Sequence, residues 1–194
     1  MRLDAKRSRT LSAASVQGIF QIMKALRLFA AAAFIAVVQT AAAQTPEWIW
    51  HANGGKAPGN NERRFFRKTF TLDAKPTKAT LAATVDNEGT AFVNAKSVAT
   101  IVSWEQAVSV DVTADLKAGE NILALRGINH GGVAGVVARL ELTFADGKKQ
   151  SIVTDLTWLA HSEDVVGWQT ADYKKEGWEK PVSVAKLGAA PWGD

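Results

Sequence analysis

The sequence has no cysteine, and this absence removes several classes of protein. No disulfide can hold the fold, no thiol can serve as a catalytic nucleophile, and no N-terminal cysteine can carry a lipid. The chain also lacks the G-x-S-x-G turn that presents the serine of many hydrolases. Its histidines, His51, His130 and His161, do not have the H-x-H or H-E-x-x-H spacing of a zinc site. A thiol enzyme is therefore excluded, and neither a serine hydrolase nor a zinc enzyme is indicated.

The carboxylates do not suggest sugar hydrolysis either. A glycosidase places two carboxyl groups roughly 5 to 10 Å apart on either side of the scissile bond. Asp86 and Glu88 are separated by one residue on a predicted turn, which is a poor way to flank a bond. We therefore predict that the chain is not an enzyme.

Helical periodicity is also missing. No segment sustains a 3.6-residue repeat of apolar residues, and only TADLKAG could form a helical turn. Instead, apolar and polar residues alternate in short segments such as RRFFRKTFTL, AVSVDVT and ARLELTF. The segment GENILALRGIN is apolar on both faces, as in a central strand that is covered on both sides. About seven to nine strands, spaced about ten residues apart, predict an antiparallel β-sandwich or barrel.

The net positive charge of the chain comes from its N-terminal segment. The formal net charge is +4, but residues 1–43 contain six basic side chains and one acid, so the remaining residues carry −1. A basic surface that could attract nucleic acid is therefore not expected on the folded part, and we predict no nucleic-acid partner.

Residues 23–43 have the order of a secretory signal peptide. MKALRLFAAAAFIAVVQTAAA has a basic start, an apolar run over residues 28–38, and small residues at 41–43 that fit a cleavage site. Because the run is shorter than the roughly 20 residues of a membrane span, we expect cleavage rather than an uncleaved anchor. Either Met23, which opens this segment, or Met1 could be the true start. The mature protein is expected to be secreted or periplasmic, with no membrane contact after cleavage.

One β-domain is expected over residues 44–194, after the N-terminal extension and signal peptide. From about residue 168 the chain has few aliphatic residues but several aromatic ones, namely Trp168, Tyr173, Trp178 and Trp192. We predict an irregular tail whose rings pack back on the sandwich, with a final strand near residues 182–184.

Four segments carry a resemblance to a known fold. ERRFFRKTFTL, ATVDNEGTAFVNAKSV, VDVTADLKAGENILALRGINHGGVAGVVARLEL and IVTDLTWLA follow one another with the order and spacing of the galactose-binding-like β-sandwich. They are similar to the carbohydrate-binding modules attached to bacterial α-L-rhamnosidases and β-galactosidases. The resemblance covers nearly all of residues 46–180 and implies an all-β, antiparallel jelly-roll sandwich.

One hairpin departs from the family pattern. The sequence has Asn94-Ala95-Lys96 where the family usually has Asn-Gly. Because alanine tolerates a positive φ poorly, we expect a longer turn here or a turn of another type.

Asp86 and Asn87 are the main candidates for a ligand site. In rhamnose-binding members of the family, a calcium ion at the rim of the sandwich joins protein oxygens to sugar hydroxyls, and this Asp-Asn pair resembles part of that site. The resemblance therefore implies calcium, with Asp86, Asn87 and Glu88 as metal ligands, since Ca²⁺ takes roughly six to eight oxygens. The residues alone also permit an Asx-turn, in which Asp86 accepts a backbone N–H and Gly89 supplies an unusual φ.

Three further residues could complete a sugar site. Trp104 lies in a predicted loop that could reach the same rim, where an indole would lie against the apolar face of a pyranose. Asn129 and His130 end a predicted central strand, and the glycines that follow let the backbone approach a ligand closely. The alternatives are a buried Trp104 and a glycine-rich turn without a ligand.

Two functions follow from these observations. The first is a secreted, non-catalytic carbohydrate-binding module that recognises a polysaccharide or glycan with the help of calcium. The alternative is a structural or protein-interaction module of the cell envelope that binds no sugar and uses the aromatic tail to contact a protein partner.

Overall fold

Extended chain dominates the computed structural model, which describes residues 44–174 and 176–193. The strands are β1 (Glu47–Trp50), β2 (Glu62–Leu72), β3 (Lys78–Asp86), β4 (Glu88–Val93), β5 (Lys96–Ile101), β6 (Val108–Asp111), β7 (Gly119–Asn129), β8 (Gly135–Thr143), β9 (Lys149–Val153), β10 (Leu159–His161) and β11 (Val182–Lys186). Two short 3₁₀ helices lie at Asn53–Gly55 and Thr113–Asp115. Within the described ranges, no helix has the length and apolar character that crossing a bilayer requires. The predicted signal peptide lies outside the described residues.

The strands form two antiparallel sheets that face each other across the core. Sheet 1 has the order β11-β1-β8-β3-β6, with β9 also paired to β8, and sheet 2 has the order β10-β2-β7-β4-β5. Apolar side chains from both sheets form one continuous buried cluster between them. The predicted all-β, antiparallel sandwich is therefore confirmed, and a closed barrel is not formed.

The segment predicted to be covered on both sides is a central strand of sheet 2. β7 pairs with β2 along all 11 of its residues and with β4 on its other edge. Leu123 and Leu125 enter the core between the sheets, whereas Ile122 and Ala124 pack beneath aromatic rings on the outer face. Because β7 is held on both edges and both faces, its last residue, Asn129, has a fixed position at one end of the sandwich.

Tryptophans fill the core and cover the outer faces of both sheets. Trp158 is fully buried between the sheets, and its indole N–H donates to a backbone carbonyl at 2.7 Å. In the tail, Trp168 packs edge-on against Phe65 over sheet 2, and Trp192 stacks on Trp48 over sheet 1. The tail thus packs back on the sandwich and contains a final strand, as the sequence predicts.

The hairpin between β4 and β5 corrects one expectation. Val93 pairs directly with Lys96, so the turn holds only two residues, and both have positive φ, 49° at Asn94 and 71° at Ala95. The expected longer turn or turn of another type is wrong, because two central residues with positive φ are the type I′ geometry of an Asn-Gly hairpin. The Asn94 amide donates to the Asp115 carbonyl at 2.8 Å, and its side-chain oxygen accepts a backbone N–H of β7 at 2.9 Å. These bonds hold the tight turn in place despite the alanine.

Replacing Ala95 by glycine should stabilise the protein. The left-handed conformation costs a residue with a Cβ roughly 1–2 kcal/mol, and the extra freedom of glycine in the unfolded chain cancels only part of the gain. We expect the free energy of unfolding in urea to rise by about 0.5–1 kcal/mol. Ala145→Gly is the matched control, because Ala145 lies in an exposed turn without a positive φ and glycine should lower stability there. If the Ala95→Gly variant were no more stable than the wild type, the conclusion that Ala95 is strained at this turn would be wrong.

Candidate functional site

Several strand ends meet at one end of the sandwich. β3 ends at Asp86 and β4 begins at Glu88, so Asn87 alone joins sheet 1 to sheet 2 at this point. β7 ends at Asn129, which pairs with Glu62 at the start of β2. Residues that are far apart in the sequence are therefore brought together by strand register. We call the following set the rim: Asn61, Asn87, Glu88, Asn129 and His130.

His130 makes the contacts that join the rim. Its backbone N–H donates to Oδ1 of Asn87 at 2.7 Å. Its ring lies 3.3 Å from Oε1 of Glu88 through Nε2 and 3.1 Å from Oδ1 of Asn61 through Nδ1. The side chains of His130 and Glu88 are 45% and 52% exposed, so their contact contributes little stability and both groups remain accessible to a ligand.

Asn129 supports the rim from beneath. It is fully buried, its Nδ2 donates to the Gly59 carbonyl at 3.0 Å, and its Oδ1 accepts the Gly131 N–H at 3.2 Å. These bonds connect the loop before β2 to the glycine loop after β7. The geometry gives Asn129 a bracing role, and direct contact between Asn129 and a ligand stays a prediction.

Asp86 and Asn87 direct their side chains to different partners. Asp86 is 8% exposed, and its Oδ2 accepts a hydrogen bond from the Trp192 indole at 2.8 Å. Burial raises the pKa of this carboxyl, and the Trp192 N–H offsets part of that rise. Asn87 donates its backbone N–H to the Ile128 carbonyl at 2.8 Å and faces His130 with its amide oxygen. Asp86 and Asn87 therefore connect the two sheets, and they also place one side-chain oxygen beside Trp192 and another beside His130.

Trp104 lies in a cluster of indoles on the outer face of sheet 1. Trp48 and Trp192 stack there with ring centroids 4.1 Å apart and ring planes 19° apart, and the half-buried Trp104 packs against them. Oγ1 of Thr84 lies 3.1 Å from the Trp104 carbonyl and holds the loop in place. We call Trp48, Trp104 and Trp192 the indole cluster. Trp104 is thus placed beside the partner of Asp86, whereas Asn87 and His130 meet at the rim.

The network that shapes the loop before β2 was not predicted from the sequence. Glu62 accepts hydrogen bonds from the Gly59 N–H at 2.8 Å, Nδ2 of Asn53 at 2.8 Å and the Trp50 indole at 2.9 Å. Burial alone would raise the pKa of Glu62, but these hydrogen bonds outweigh it and hold the pKa below its usual value. Asn61, the partner of the His130 ring, was missed as well. The polar run NNE directly before β2 is the signal that could have indicated both residues.

The predicted metal ligands Asp86, Asn87 and Glu88 carry oxygens of the types that Ca²⁺ accepts. In the structure these oxygens have different partners, since Asp86 accepts from Trp192, Asn87 accepts from the His130 N–H, and Glu88 lies beside the His130 ring. Asp86 is also a buried carboxylate that forms no ion pair with a cationic side chain of the described residues, so a nearby cation would offset its desolvation. Across the described ranges, no group of three or more His, Cys, Asp or Glu side chains is arranged to hold a metal. A calcium ion here would therefore depend on amide and carbonyl oxygens as much as on carboxylates.

Comparison with known proteins shows relatives among sugar-processing and sugar-binding proteins. The α-L-rhamnosidase of Streptomyces avermitilis is 34% identical over 157 residues, which cover 75% of this chain and 15% of the relative. The crystal structure of the enzyme from this organism with L-rhamnose superposes with a TM-score of 0.71 and 31% identity, over 76% of this chain and 15% of that chain. A Pleurotus ostreatus lectin in complex with GalNAc gives a TM-score of 0.69 and 30% identity, over 76% of this chain and 44% of the lectin. No family model matches the chain.

These likenesses confirm the resemblance that the sequence motifs indicate. The chain is a galactose-binding-like β-sandwich, similar to the carbohydrate-binding modules attached to α-L-rhamnosidases. It spans only 15% of the length of the rhamnosidase and less than half of the lectin. The likeness therefore concerns one module of each larger protein.

Asp86→Asn should change how stability depends on pH. Because burial raises the pKa of Asp86 in the fold, the protonated carboxyl favours the folded state, and this contribution is lost as the pH rises through the folded pKa. With a chelator present, the wild type should therefore lose free energy of unfolding relative to Asp86→Asn as the pH rises from about 4. Urea titrations at several pH values measure the difference, and Asp146→Asn, in an exposed turn, controls for the loss of one carboxylate. A difference between wild type and Asp86→Asn that is constant with pH would contradict this account.

Proposed function

We propose that this chain is a non-catalytic glycan-binding module whose ligand contacts the rim through Asn87, Glu88 and His130. The observation that carries the proposal is the convergence of amide, carboxylate and imidazole groups on one exposed end of a sandwich similar to a lectin. Planar polar groups of this kind both donate to and accept from hydroxyl groups, which are the features that distinguish one sugar from another.

The class of ligand is supported by what the relatives bind. The Streptomyces structure contains L-rhamnose, and the Pleurotus structure contains GalNAc. Both ligands are single pyranose sugars with several hydroxyl groups. We therefore propose that the ligand is a glycan that exposes a sugar of this size. We also propose that this chain is secreted or periplasmic, as the predicted signal peptide implies.

A binding role is proposed rather than a catalytic one for two reasons. The region similar to the rhamnosidase is only 15% of that enzyme, and the second relative is a lectin. Within the described site, the carboxylates of Asp86 and Glu88 also have separate surroundings. Asp86 is buried against Trp192, and Glu88 is exposed beside His130. Such a pair does not flank a bond as the two carboxyl groups of a glycosidase do.

We propose that calcium assists binding and is held by Asp86, Asn87 and Glu88 together with neighbouring carbonyl oxygens. A bound ion would supply a positive centre for sugar hydroxyls. Residues of the chain shape the rest of the site. Asn61 holds the imidazole ring of His130 at the rim, and Asn129 links the two loops beneath it.

The alternative function is protein interaction at the cell envelope. Its proposed contact surface, the aromatic tail, is largely occupied within the molecule, since Trp168 and Trp192 are buried. Val182 and Val184 on the edge strand β11 remain exposed and favour this alternative. Capture of a protein partner in the presence of chelator, and its loss when both valines are changed to threonine, would support it.

His130→Ala and Asn87→Ala should each weaken glycan binding by at least about tenfold, which corresponds to about 1.4 kcal/mol. Each change removes a polar group of the rim, and Asn87→Ala also removes the acceptor of the His130 backbone N–H. Isothermal titration with L-rhamnose and with GalNAc measures the effect. His161→Ala is the matched control, because His161 stacks on Trp178 in the tail rather than at the rim. Unchanged affinity in both rim variants would overturn the placement of the site.

Calcium should raise the melting temperature of the wild type by several degrees over a sample with chelator. An ion that binds only the folded state adds about 2.7 kcal/mol at a hundredfold excess over its Kd. Asp86→Asn should abolish the shift, whereas Asp146→Asn should retain it. A melting temperature that is identical with calcium and with chelator would exclude the ion and leave the rim side chains as the whole site.

A further inference from the structure

A small cavity opens on the outer face of sheet 1, beside the indole cluster. Trp48, Trp104 and Trp192 form its walls together with Leu187, and Ala82 lies among its lining residues. Its volume is about 240 Å³. Pockets for drug-sized ligands occupy roughly 300–1,000 Å³, so this cavity suits a single ring rather than an extended chain.

The aromatic walls are fixed before any ligand arrives. Trp192 is held by its hydrogen bond to Asp86 at 2.8 Å and by stacking on Trp48. Gly135 provides the space beneath both rings, because a Cβ at that position would lie 2.9 Å from each indole. The Trp104 loop is held by Thr84. Binding of a ligand therefore costs little conformational entropy in the side chains of the site, which favours affinity.

The polar groups around the cavity define what the ring must carry. Glu105 and Arg139 line the cavity, and they offer an acceptor and a donor for hydroxyl groups.

We infer that this indole cavity is a second saccharide site, which binds one pyranose ring without calcium and separately from the rim. The apolar C–H face of the ring lies against the half-buried Trp104 indole, and its hydroxyls meet Glu105 and Arg139. The inference rests on the proposed function for the class of ligand. It does not depend on the rim residues or on the metal.

The test measures binding of methyl α-L-rhamnoside, methyl β-D-galactoside and methyl β-D-glucoside in chelator by isothermal titration and tryptophan fluorescence. At least one of these should bind the wild type and shift its fluorescence, and His130→Ala should leave that binding unchanged. Trp104→Ala should weaken it by at least about tenfold, with a smaller loss in Trp104→Phe. Trp178→Ala is the matched control, because Trp178 is a half-buried indole over the other sheet.

A second variant keeps the inference testable if Trp104→Ala does not fold. Ala82→Leu retains every tryptophan and fills the cavity, so it should abolish binding in chelator while the melting temperature stays near that of the wild type. Binding that Trp104→Ala and Ala82→Leu leave intact, or binding seen only with calcium and lost in His130→Ala, would overturn the second site and leave the proposed function standing. Absence of binding by the wild type to all three sugars, with and without calcium, would overturn both.

Discussion

The hydrogen bond between Trp192 and Asp86 is the contact on which both sites depend. It joins residues 106 positions apart, and it fixes the end of the tail against the end of β3. Without it, Asp86 would be a buried carboxylate with no donor, and Trp48 would lose the ring that covers it. The bond therefore determines where the oxygens of Asp86 lie and also shapes one wall of the indole cavity.

Two consecutive residues serve two surfaces because the chain crosses from one sheet to the other at this point. Asp86 is the last residue of β3 in sheet 1 and accepts from Trp192, whereas Asn87 lies between the strands and accepts from His130. The rim and the indole cavity are thus coupled by covalent geometry, although their ligand contacts are distinct.

The fold was predictable because its determinants are local. Alternation of apolar residues identified the strands, and the doubly apolar segment identified β7 as a central strand. Asn87 and His130 could each be predicted near a strand end, but the bond between them depends on how β3, β4 and β7 are registered, which no local pattern specifies. The position of Trp104 was not predictable, because a loop side chain can turn to either sheet and only the buried contacts decide. The bond from Trp192 to Asp86 leaves no pattern in the sequence, since nothing local links a tail tryptophan to one aspartate.

The two sites differ in the physical basis of their affinity. At the rim, the groups are polar and half exposed, so each hydrogen bond to a sugar replaces one to water and contributes only a modest net free energy. In the indole cavity, binding would remove apolar surface from water against rings that are already ordered. A glycan that used the rim alone would be recognised by the arrangement of its hydroxyls, and one that used the cavity would be recognised by the shape of its apolar face. A module with both can discriminate between sugars that one of the sites accepts equally, because specificity is a difference between affinities and the other site responds to a different feature of the ring.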